Sequence, residues 1–256
     1  MKPAAHAGRM DSRTGGFRLV QVSDCHLAVD PDAAYRGMNA DANLARLTPA
    51  VNAFDPDALL LTGDLSEDAS LDSYQRLAEW ASRFDVTVGW LPGNHDDPDR
   101  MRPIFDAAGF TDGPCLSAGG WTLVLLDSRW PDDPAGELDD ERLRPLDDIQ
   151  PDTPSGVFVH HQPVPVGARW IDRVGMRESG RLWNRLRAGP RPRFIAFGHV
   201  HQRFRCRIQG VDVLACPATA ANSRPGTERF TPGEITPMAR WFVLQPDHYR
   251  TGYLTP

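Results

Sequence analysis

The sequence predicts an α/β layered fold for this chain of 256 residues. In the first half, short apolar runs of strand length alternate with longer segments whose apolar residues are three and four positions apart, as on one face of a helix. The second half contains more strand-like runs, and two of them form a predicted hairpin at Gln209-Gly210. In such folds a ligand site lies beyond the carboxyl ends of the strands, and the polar motifs of this chain follow its apolar runs.

The first half of the chain contains three predicted strands, each followed by a predicted helix. The helix at 39–54 has an apolar face formed by Leu44, Leu47, Val51 and Phe54, which recur at helical spacing. The run D-A-L-L-L-T at 57–62 is short and apolar, which is typical of a buried strand. The predicted strands cover 17–23, 57–62 and 86–91, and the predicted helices cover 39–54, 71–84 and 98–108.

The second half is richer in predicted strands. Pro145 interrupts the helical pattern at 138–149, so this is the weakest of the predicted helices. A further helix is predicted at 179–188, with strands at 121–126, 156–159, 193–197, 204–208, 211–216 and 240–244. Residues 222–238 contain prolines and glycines and are predicted as a long surface loop. We expect a mobile tail at 1–16 and a single domain over 17–256, since the chain shows neither an internal repeat nor a linker.

Composition excludes several classes of protein. The chain is 41% hydrophobic and 24% charged, which is sufficient for a large core and argues against disorder. Its net charge of −6 and the absence of a basic block argue against a nucleic-acid partner. The four cysteines lack the spacing of a disulfide framework, so we expect free thiols. Without an apolar leader or a run of roughly 20 apolar residues, the chain is predicted to be cytoplasmic, with no membrane partner.

Five polar motifs each follow a predicted strand. They are Asp24-x-His26, Gly63-Asp64, Gly93-Asn94-His95-Asp96, His160-His161 and Gly198-His199-x-His201, and they contain six of the eight histidines. Carboxylate, amide and imidazole ligands are typical of Mn, Fe or Zn sites. Seven candidate ligands are too many for one ion but suit two ions bridged by a carboxylate and a hydroxide. The pattern therefore predicts hydrolysis at phosphorus by a two-metal site, with these candidate ligands: Asp24, His26, Asp64, Asn94, His160, His199 and His201.

The five motifs, in this order, resemble those of the calcineurin-like metallophosphoesterase family. The resemblance covers residues 17–217 and implies a four-layer α/β/β/α sandwich of two mixed sheets. It implies two sets of metal ligands bridged by Asp64: Asp24, His26 and His201 for the first ion, and Asn94, His160 and His199 for the second. His95 matches a family histidine that contacts the phosphate and protonates or stabilises the leaving oxygen, and Asp96 would orient it. The substrate would contact three residues: Asn94, His95 and His201.

Several longer stretches are similar to bacterial 3′,5′-cyclic-AMP phosphodiesterases of this fold, a branch of the class III cyclic nucleotide phosphodiesterases. They are G-D-L-S-E-D-A-S-L-D-S-Y (63–74), W-L-P-G-N-H-D (90–96), L-L-D-S (125–128), the run at 160–172, and C-P-A-T-A (216–220). The chain departs from this branch at Cys25, where Thr is common, and at Gln162, where His or Pro is common. The segments 138–149 and 218–238 match less closely, so the resemblance does not define the far wall of the substrate pocket.

The resemblance implies a metal-dependent phosphoric diester hydrolase that opens 3′,5′-cyclic AMP, or a related cyclic nucleotide, by attack of a metal-bridging hydroxide. An alternative in the same fold is a metallophosphodiesterase for another small diester, such as a glycerophosphodiester. A protein phosphatase is disfavoured because Ser66-Glu67-Asp68 replaces the D-R-G segment typical of those relatives. A non-catalytic metal-binding regulatory domain is a different class, and the complete ligand set with His95 argues against it. The expected partner is a small-molecule phosphodiester, and the oligomeric state is left open.

Other residues near the motifs have simpler interpretations. His161 is expected to point away from His160 in an extended segment, and to pack against the site or to support it. Trp170 and Asp172 follow in the next loop and could wall the pocket or contact a nucleobase, although packing is the commoner role of a Trp side chain. The arginines of this region are expected to carry solvated surface charge: Arg169, Arg173, Arg177 and Arg181.

Overall fold

A computed structural model of the protein describes residues 15–189 and 191–256, so the predicted tail at 1–16 lies almost wholly outside the described residues. The strands are β1 (Phe17–Val22), β2 (Ala34–Tyr35), β3 (Met38–Asn39), β4 (Ala58–Thr62), β5 (Thr87–Leu91), β6 (Cys115–Ala118), β7 (Trp121–Leu126), β8 (Ser155–Val159), β9 (Phe194–Phe197), β10 (Arg205–Ile208), β11 (Val211–Ala215), β12 (Ala239–Leu244) and β13 (Tyr249–Leu254). The helices are α1 (Ala40–Phe54), α2 (Leu71–Ser82), α3 (Pro98–Ala107), α4 (Arg169–Asp172) and α5 (Gly180–Ala188).

The long strands form two mixed sheets. The first has the order β13-β12-β1-β4-β5, in which β1, β4 and β5 are parallel and β12 is antiparallel to both of its neighbours. The second has the order β10-β11-β9-β8-β7-β6, with parallel pairing from β11 to β7 and an antiparallel strand at each edge. Strands β2 and β3 form a separate small hairpin.

The two sheets pack face to face, and helices cover the outer face of the first sheet. Strand β4 shows how alternation assigns its side chains: Leu60 points into the core between the sheets, whereas Leu59 and Leu61 pack against the helices. Large rings fill the central core, including Trp121, Phe158, Phe194 and Phe242. On the outer face of the second sheet, α5 and the segment 138–149 bury the remaining apolar side chains. The predicted four-layer α/β/β/α sandwich is confirmed.

Capping residues mark where three helices begin and the preceding loops end. The Asn39 side-chain oxygen accepts a hydrogen bond from the Ala42 N–H at 2.6 Å, and Ser70 does the same for Ser73 at 3.3 Å. Asp97 accepts from Asp99 at 3.0 Å, immediately before a proline at the first position of α3. The loops that carry the polar motifs at 63–70 and 93–97 therefore end at defined residues.

The predicted helix at 138–149 is wrong. The segment consists of turns that end in a short 3-10 helix, Arg144–Asp148, with Pro145 in its first turn, where the missing N–H costs no hydrogen bond. The apolar residues of the segment are nevertheless buried against the second sheet: Leu138, Leu143, Leu146 and Ile149. The periodicity thus identified buried positions correctly and their backbone conformation incorrectly.

The hairpin of β10 and β11 is confirmed, with Ile208 opposite Val211 at its closed end. Five pieces of regular structure were not predicted: the two strands of the small hairpin, β2 and β3, the edge strands β6 and β13, and the short helix α4. Among the described residues, no helix combines the length and apolar character required to cross a membrane.

Candidate metal centre

All five polar motifs lie at the carboxyl ends of strands, where the two sheets meet. Backbone hydrogen bonds join their loops: the Asp24 N–H donates to the Gly63 carbonyl oxygen at 3.0 Å, and the His26 N–H donates to that of Asp64 at 3.0 Å. The first sheet contributes the motifs after β1, β4 and β5, and the second contributes those after β8 and β9. The topology therefore brings together residues that are far apart in the chain.

The first group of side chains consists of Asp24, His26, Asp64 and His201. Each is at most 3% exposed, and one potential ligand atom from each lies within 4.8 Å of the others. His201 Nε2 lies 3.3 Å from Asp24 Oδ1, and His26 Nε2 lies 3.7 Å from Asp64 Oδ2. This buried cluster of two carboxylates and two imidazoles could hold a cation.

Hydrogen bonds determine which ring nitrogen carries the proton in His26 and His201. His26 Nδ1 lies 2.7 Å from Glu67 Oε2, and His201 Nδ1 lies 2.7 Å from the Ala221 carbonyl oxygen. Because an ionised carboxylate and a carbonyl only accept, each Nδ1 must donate. In the neutral rings a lone pair then remains on each Nε2, and these two atoms are 3.2 Å apart. Two lone pairs at this distance repel unless a cation neutralises them, so the donor set fits a metal ion.

The second group adjoins the first through Asp64. His160 Nδ1 donates to the Thr62 carbonyl oxygen at 2.9 Å, which leaves a lone pair on Nε2, only 3.2 Å from Asp64 Oδ2. The Asn94 side-chain oxygen is buried and has no hydrogen-bond partner among the described residues. A buried acceptor without a partner, in one of the five motifs at this end of the sheets, is a donor that a cation could satisfy.

His199 and His161 lie beside His160 but differ in which nitrogen is free. His199 Nε2 donates to the Val174 carbonyl oxygen at 3.1 Å, so its Nδ1 keeps a lone pair. His161 Nε2 donates to the Pro134 carbonyl oxygen at 3.2 Å, and its Nδ1 lies 2.8 Å from the Ser128 hydroxyl. His161 belongs to the group by distance, with its ring centroid 4.9 Å from that of His160, so the expectation that it points away from His160 is wrong. However, both of its ring nitrogens are occupied by the protein, in agreement with the supporting role expected for it.

Asp96 was predicted to orient His95, and this prediction is wrong. In the structure Glu67, and not Asp96, contacts His95. The Asp96 carboxylate accepts hydrogen bonds from the backbone N–H groups of Gly93, Leu65 and Ser66 at 2.9–3.2 Å, so it fastens two loops together. His95 Nδ1 instead lies 3.2 Å from Glu67 Oε2, the same oxygen that accepts from His26.

Glu67 was not among the predicted site residues and was noted only as part of the Ser66-Glu67-Asp68 segment that differs from protein phosphatases. Its position three residues after Asp64, in the turn after β4, was the signal that could have identified it.

Burial and charge shift pKa values within the centre in opposite directions. Burial opposes ionisation of Asp64, but the nearby His160 and His26 outweigh it and hold the Asp64 pKa well below its usual range. Burial, together with the charge of Asp64, raises the pKa of Asp96 to about 6. Burial also lowers the pKa of His199 to about 3, so its ring is neutral at physiological pH. For His160 without a bound ion, burial lowers the pKa, but the charge of Asp64, its hydrogen bond to the ring and the charge of Asp24 together outweigh burial and raise the pKa to about 9. A cation at Nε2 would therefore displace the proton that this nitrogen carries at neutral pH.

The backbone of the centre adopts unusual conformations. Five of the seven candidate ligands have positive φ angles between 44° and 65°, a region that costs residues other than glycine about 1–2 kcal/mol each: Asp24, His26, Asp64, His199 and His201. Gly63 has φ +88°, and a Cβ atom there would collide with the His160 ring. Such strain persists where the surrounding structure enforces it, typically at functional sites.

The remaining residues singled out by sequence lie around the rim. Asp172 accepts hydrogen bonds from the backbone N–H groups of Val166 and Gly167 at 2.7 and 3.0 Å, so it stabilises its own loop. Trp170 is partly buried and packs edge-on against Phe230, with ring centroids 5.5 Å apart. Three of the four arginines form exposed ion pairs, as expected for surface charge: Arg169 with Glu228, Arg177 with Asp133 and Arg181 with Glu178.

The fold and the centre together define a class of protein. The family model described as calcineurin-like phosphoesterase matches residues 17–203, and the chain belongs to this family. The predicted enzyme class, a metal-dependent phosphoesterase, is therefore confirmed.

The chain is also similar to individual proteins and to a solved structure. The chain is 34% identical to the 3′,5′-cyclic adenosine monophosphate phosphodiesterase CpdA of Pseudomonas aeruginosa, over 90% of this chain and 86% of that protein. It is also 34% identical to a probable cyclic nucleotide phosphodiesterase of a Synechococcus strain, over 90% and 88%. A dimetal phosphatase from Danio rerio has the same fold, with a TM-score of 0.69 at 15% identity over 94% of this chain and 96% of the other. The predicted likeness to bacterial cyclic-AMP phosphodiesterases is confirmed.

Proposed function

We propose that this chain is a dinuclear phosphodiesterase that hydrolyses 3′,5′-cyclic AMP, or a related cyclic nucleotide, to the nucleoside monophosphate. The observation that carries the proposal is the position of Asp64: its Oδ2 lies 3.7 Å from His26 Nε2 and 3.2 Å from His160 Nε2. One carboxylate oxygen thus faces both groups of ligands, as a bridging ligand requires. The relatives named as cyclic nucleotide phosphodiesterases, which match 90% of the chain, support the substrate class.

The two groups divide the ligands between two ions. Asp24, His26 and His201 would hold one ion, Asp64 would bridge, and three residues would hold the other: Asn94, His160 and His199. The lone pairs on His26 Nε2 and His201 Nε2, together with the unpartnered Asn94 oxygen, support this division. The nitrogen and oxygen donors suit Fe, Mn or Zn. Two such ions polarise a phosphoryl group and supply a water-derived nucleophile at neutral pH.

The chain itself supplies the proton for the leaving oxygen. The His95 side chain is 35% exposed at the mouth of the centre, whereas the ligand imidazoles are buried, so substrate can reach it. Its Nδ1 faces the Glu67 carboxylate, which orients the ring, and its Nε2 is left for the substrate. Asp96 supports this arrangement indirectly, by holding the loops that carry Asp64 and His95.

We also propose that residues 17–256 form one domain. Strands from both ends of the chain, β1 and β12, pair in the first sheet, and side chains of both sheets share the central core. Cytoplasmic location and the absence of nucleic-acid and membrane partners stay predictions.

Substrate turnover by metal-loaded protein tests the proposed function. Metal-free protein would be loaded separately with Mn²⁺, Fe²⁺ and Zn²⁺ and assayed with 3′,5′-cyclic AMP, 2′,3′-cyclic AMP, a glycerophosphodiester and a bis-aryl phosphate. Asp64→Asn is the control, since the loss of a bridging carboxylate should reduce the metal content of both sites. Preferred turnover of 3′,5′-cyclic AMP, absent in the control, is the expected result. Cleavage of the aryl ester without any cleavage of cyclic AMP would refute the substrate and retain the metal centre.

A further inference from the structure

An aromatic cluster begins on the ring of His26 and extends away from the candidate ligands. Tyr35 lies flat on the His26 imidazole, with centroids 4.0 Å apart and planes at 8°. The next residue, Arg36, places its guanidinium carbon 5.3 Å from the Tyr35 centroid, 4.0 Å from that of Phe230 and 5.4 Å from that of Trp170. We call Arg36, Trp170 and Phe230 the aromatic clamp. Two successive contacts therefore connect a candidate metal ligand to the clamp.

Three distant segments of the chain build the clamp. Arg36 lies in the turn between β2 and β3, Trp170 in α4, and Phe230 in the predicted surface loop at 222–238. An exposed ion pair, Arg169 with Glu228 at 3.3 Å, joins the last two segments a second time. Arg36 and Gly37 have φ angles of 49° and 83°, as the two-residue hairpin turn between Tyr35 and Met38 requires, and this turn brings the Arg36 guanidinium to these rings. The ring contacts and the ion pair thus join these three segments at more than one point.

The clamp contains hydrogen-bond donors that the protein leaves unused. Arg36 Nε donates to the Tyr35 hydroxyl at 2.9 Å, but in the described part of the chain its two terminal nitrogens have neither a hydrogen-bond acceptor nor a carboxylate partner. The Trp170 ring N–H is buried and likewise lacks an acceptor within the described residues. Unused donors beside aromatic faces fit a planar ligand that carries lone pairs on ring nitrogens. A heteroaromatic base has this chemistry.

We propose that the aromatic clamp binds the purine base of the substrate while the candidate metal centre holds its phosphate. This inference rests on the proposed hydrolysis of a cyclic nucleotide and adds the residues that recognise the base. The base stacks against the rings of Phe230 and Trp170, and Arg36 donates to its ring nitrogens. Stacking on aromatic side chains contributes about 1–3 kcal/mol per base, which corresponds to roughly 5- to 150-fold in affinity.

Two variants and a matched control test the clamp. Phe230→Ala removes a stacking surface, and Arg36→Gln removes the charge. Phe54→Ala is the control, because Phe54 packs 5.7 Å from Trp241 and 4.7 Å from the Arg18 guanidinium, in a similar cluster at the amino end of β1. Each Mn²⁺-loaded protein would be assayed with 3′,5′-cyclic AMP and with methyl riboside 3′,5′-cyclic phosphate, which keeps the reacting ring and lacks the base.

We expect the clamp variants to raise KM for 3′,5′-cyclic AMP by roughly 5- to 150-fold, with kcat/KM for the base-free substrate changed by less than about twofold. The control should change neither value. Equal losses on both substrates, or no loss on either, would overturn base recognition by the clamp.

Binding of 5′-AMP in equilibrium dialysis separates this inference from the proposed function, because it needs no turnover. Wild-type protein that binds 5′-AMP through the clamp but does not hydrolyse cyclic AMP would refute the proposed reaction alone. Wild-type protein that hydrolyses both cyclic substrates with equal kcat/KM would refute the clamp alone.

Discussion

Glu67 connects two histidines with different predicted tasks. Its Oε2 accepts a hydrogen bond from His26 Nδ1 at 2.7 Å and lies 3.2 Å from His95 Nδ1. One carboxylate thus fixes the tautomer of a candidate metal ligand and orients the candidate proton donor. Burial opposes ionisation of Glu67, but the two histidines outweigh it and lower the Glu67 pKa, so this group is ionised at neutral pH.

Replacement of His95 separates proton donation from metal binding. We expect His95→Ala to keep its metal content and to lose kcat by roughly 10²- to 10⁴-fold, the usual effect of losing a general acid. Metal analysis and steady-state kinetics on 3′,5′-cyclic AMP measure the two quantities. His248→Ala removes an exposed histidine and serves as the control. Loss of metal in step with activity would show that His95 is itself a ligand.

The effect of burial on the Asp127 carboxyl group can be tested through the pH dependence of protein stability. Its carboxylate accepts from the Arg129 N–H at 2.8 Å, and burial raises its pKa. The pKa of Asp127 is higher in the folded state than in the unfolded state, so its ionisation lowers the free energy of unfolding at pH values above the folded-state pKa. Below the ordinary value of 3.8 the carboxyl group is protonated in both states, and it then has no such effect. Asp127→Asn keeps the acceptor without the charge.

We therefore expect Asp127→Asn to be more stable than wild type at about pH 8, and the difference to shrink as the pH falls toward the ordinary carboxyl range. Urea unfolding of metal-free protein over this range measures it. An advantage that grows at low pH would contradict the sign of the shift.

Elements buried on both faces were the most predictable part of the fold. The continuous apolar runs of β4, β8 and β9 predict strands, and every residue of these strands is buried. The edge strand β13 was missed because its sequence, Y-R-T-G-Y-L, is mostly half-buried and contains Gly252, so its pattern is weak. The segment 138–149 has helical spacing, but tertiary packing of its apolar residues prevailed over helix formation.

The candidate site, like the fold, has a part that the sequence predicts and a part that it does not. Its seven candidate ligands follow apolar strands in short motifs, so sequence alone brings them to one end of the sheets. The contact of Glu67 with His95 depends on how two turns pack, and the aromatic clamp joins residues 36, 170 and 230 through loops. Spacing along the chain contains no information on such contacts.

The turn after β4 shows how one element constrains the centre. Gly63→Ala should destabilise the protein by more than the roughly 1–2 kcal/mol of a left-handed alanine, because the new Cβ also collides with His160. Gly210→Ala is the matched control: Gly210 has φ +86° and open space around its Cα. Urea unfolding of both variants compares the two costs, and equal losses of stability would show that His160 moves aside freely.

For the whole molecule, the centre lies between the sheets, with candidate ligands from both. Chelation of bound metal should therefore lower the melting temperature. An ion that binds only the native state stabilises it by about 2.7 kcal/mol at a free concentration of 100 times Kd, or roughly 5–10 °C for a chain of this size. Calorimetry with Mn²⁺ or with EDTA measures the shift, and Asp64→Asn should show little of it. Identical melting temperatures in wild type with and without metal would contradict a cation site here.

Asp24 and His201 are far apart along the chain, yet their side chains are in contact at 3.3 Å. An ion shared by ligands of both sheets would close this long loop in the native state, but it would not restrict the denatured chain, which has no formed site to hold it. Unlike a disulfide, such a metal cross-link opens without a reductant. In a pulling experiment, the force needed to separate the sheets would depend on free metal concentration, so the enzyme's mechanical strength would follow the supply of its own cofactor.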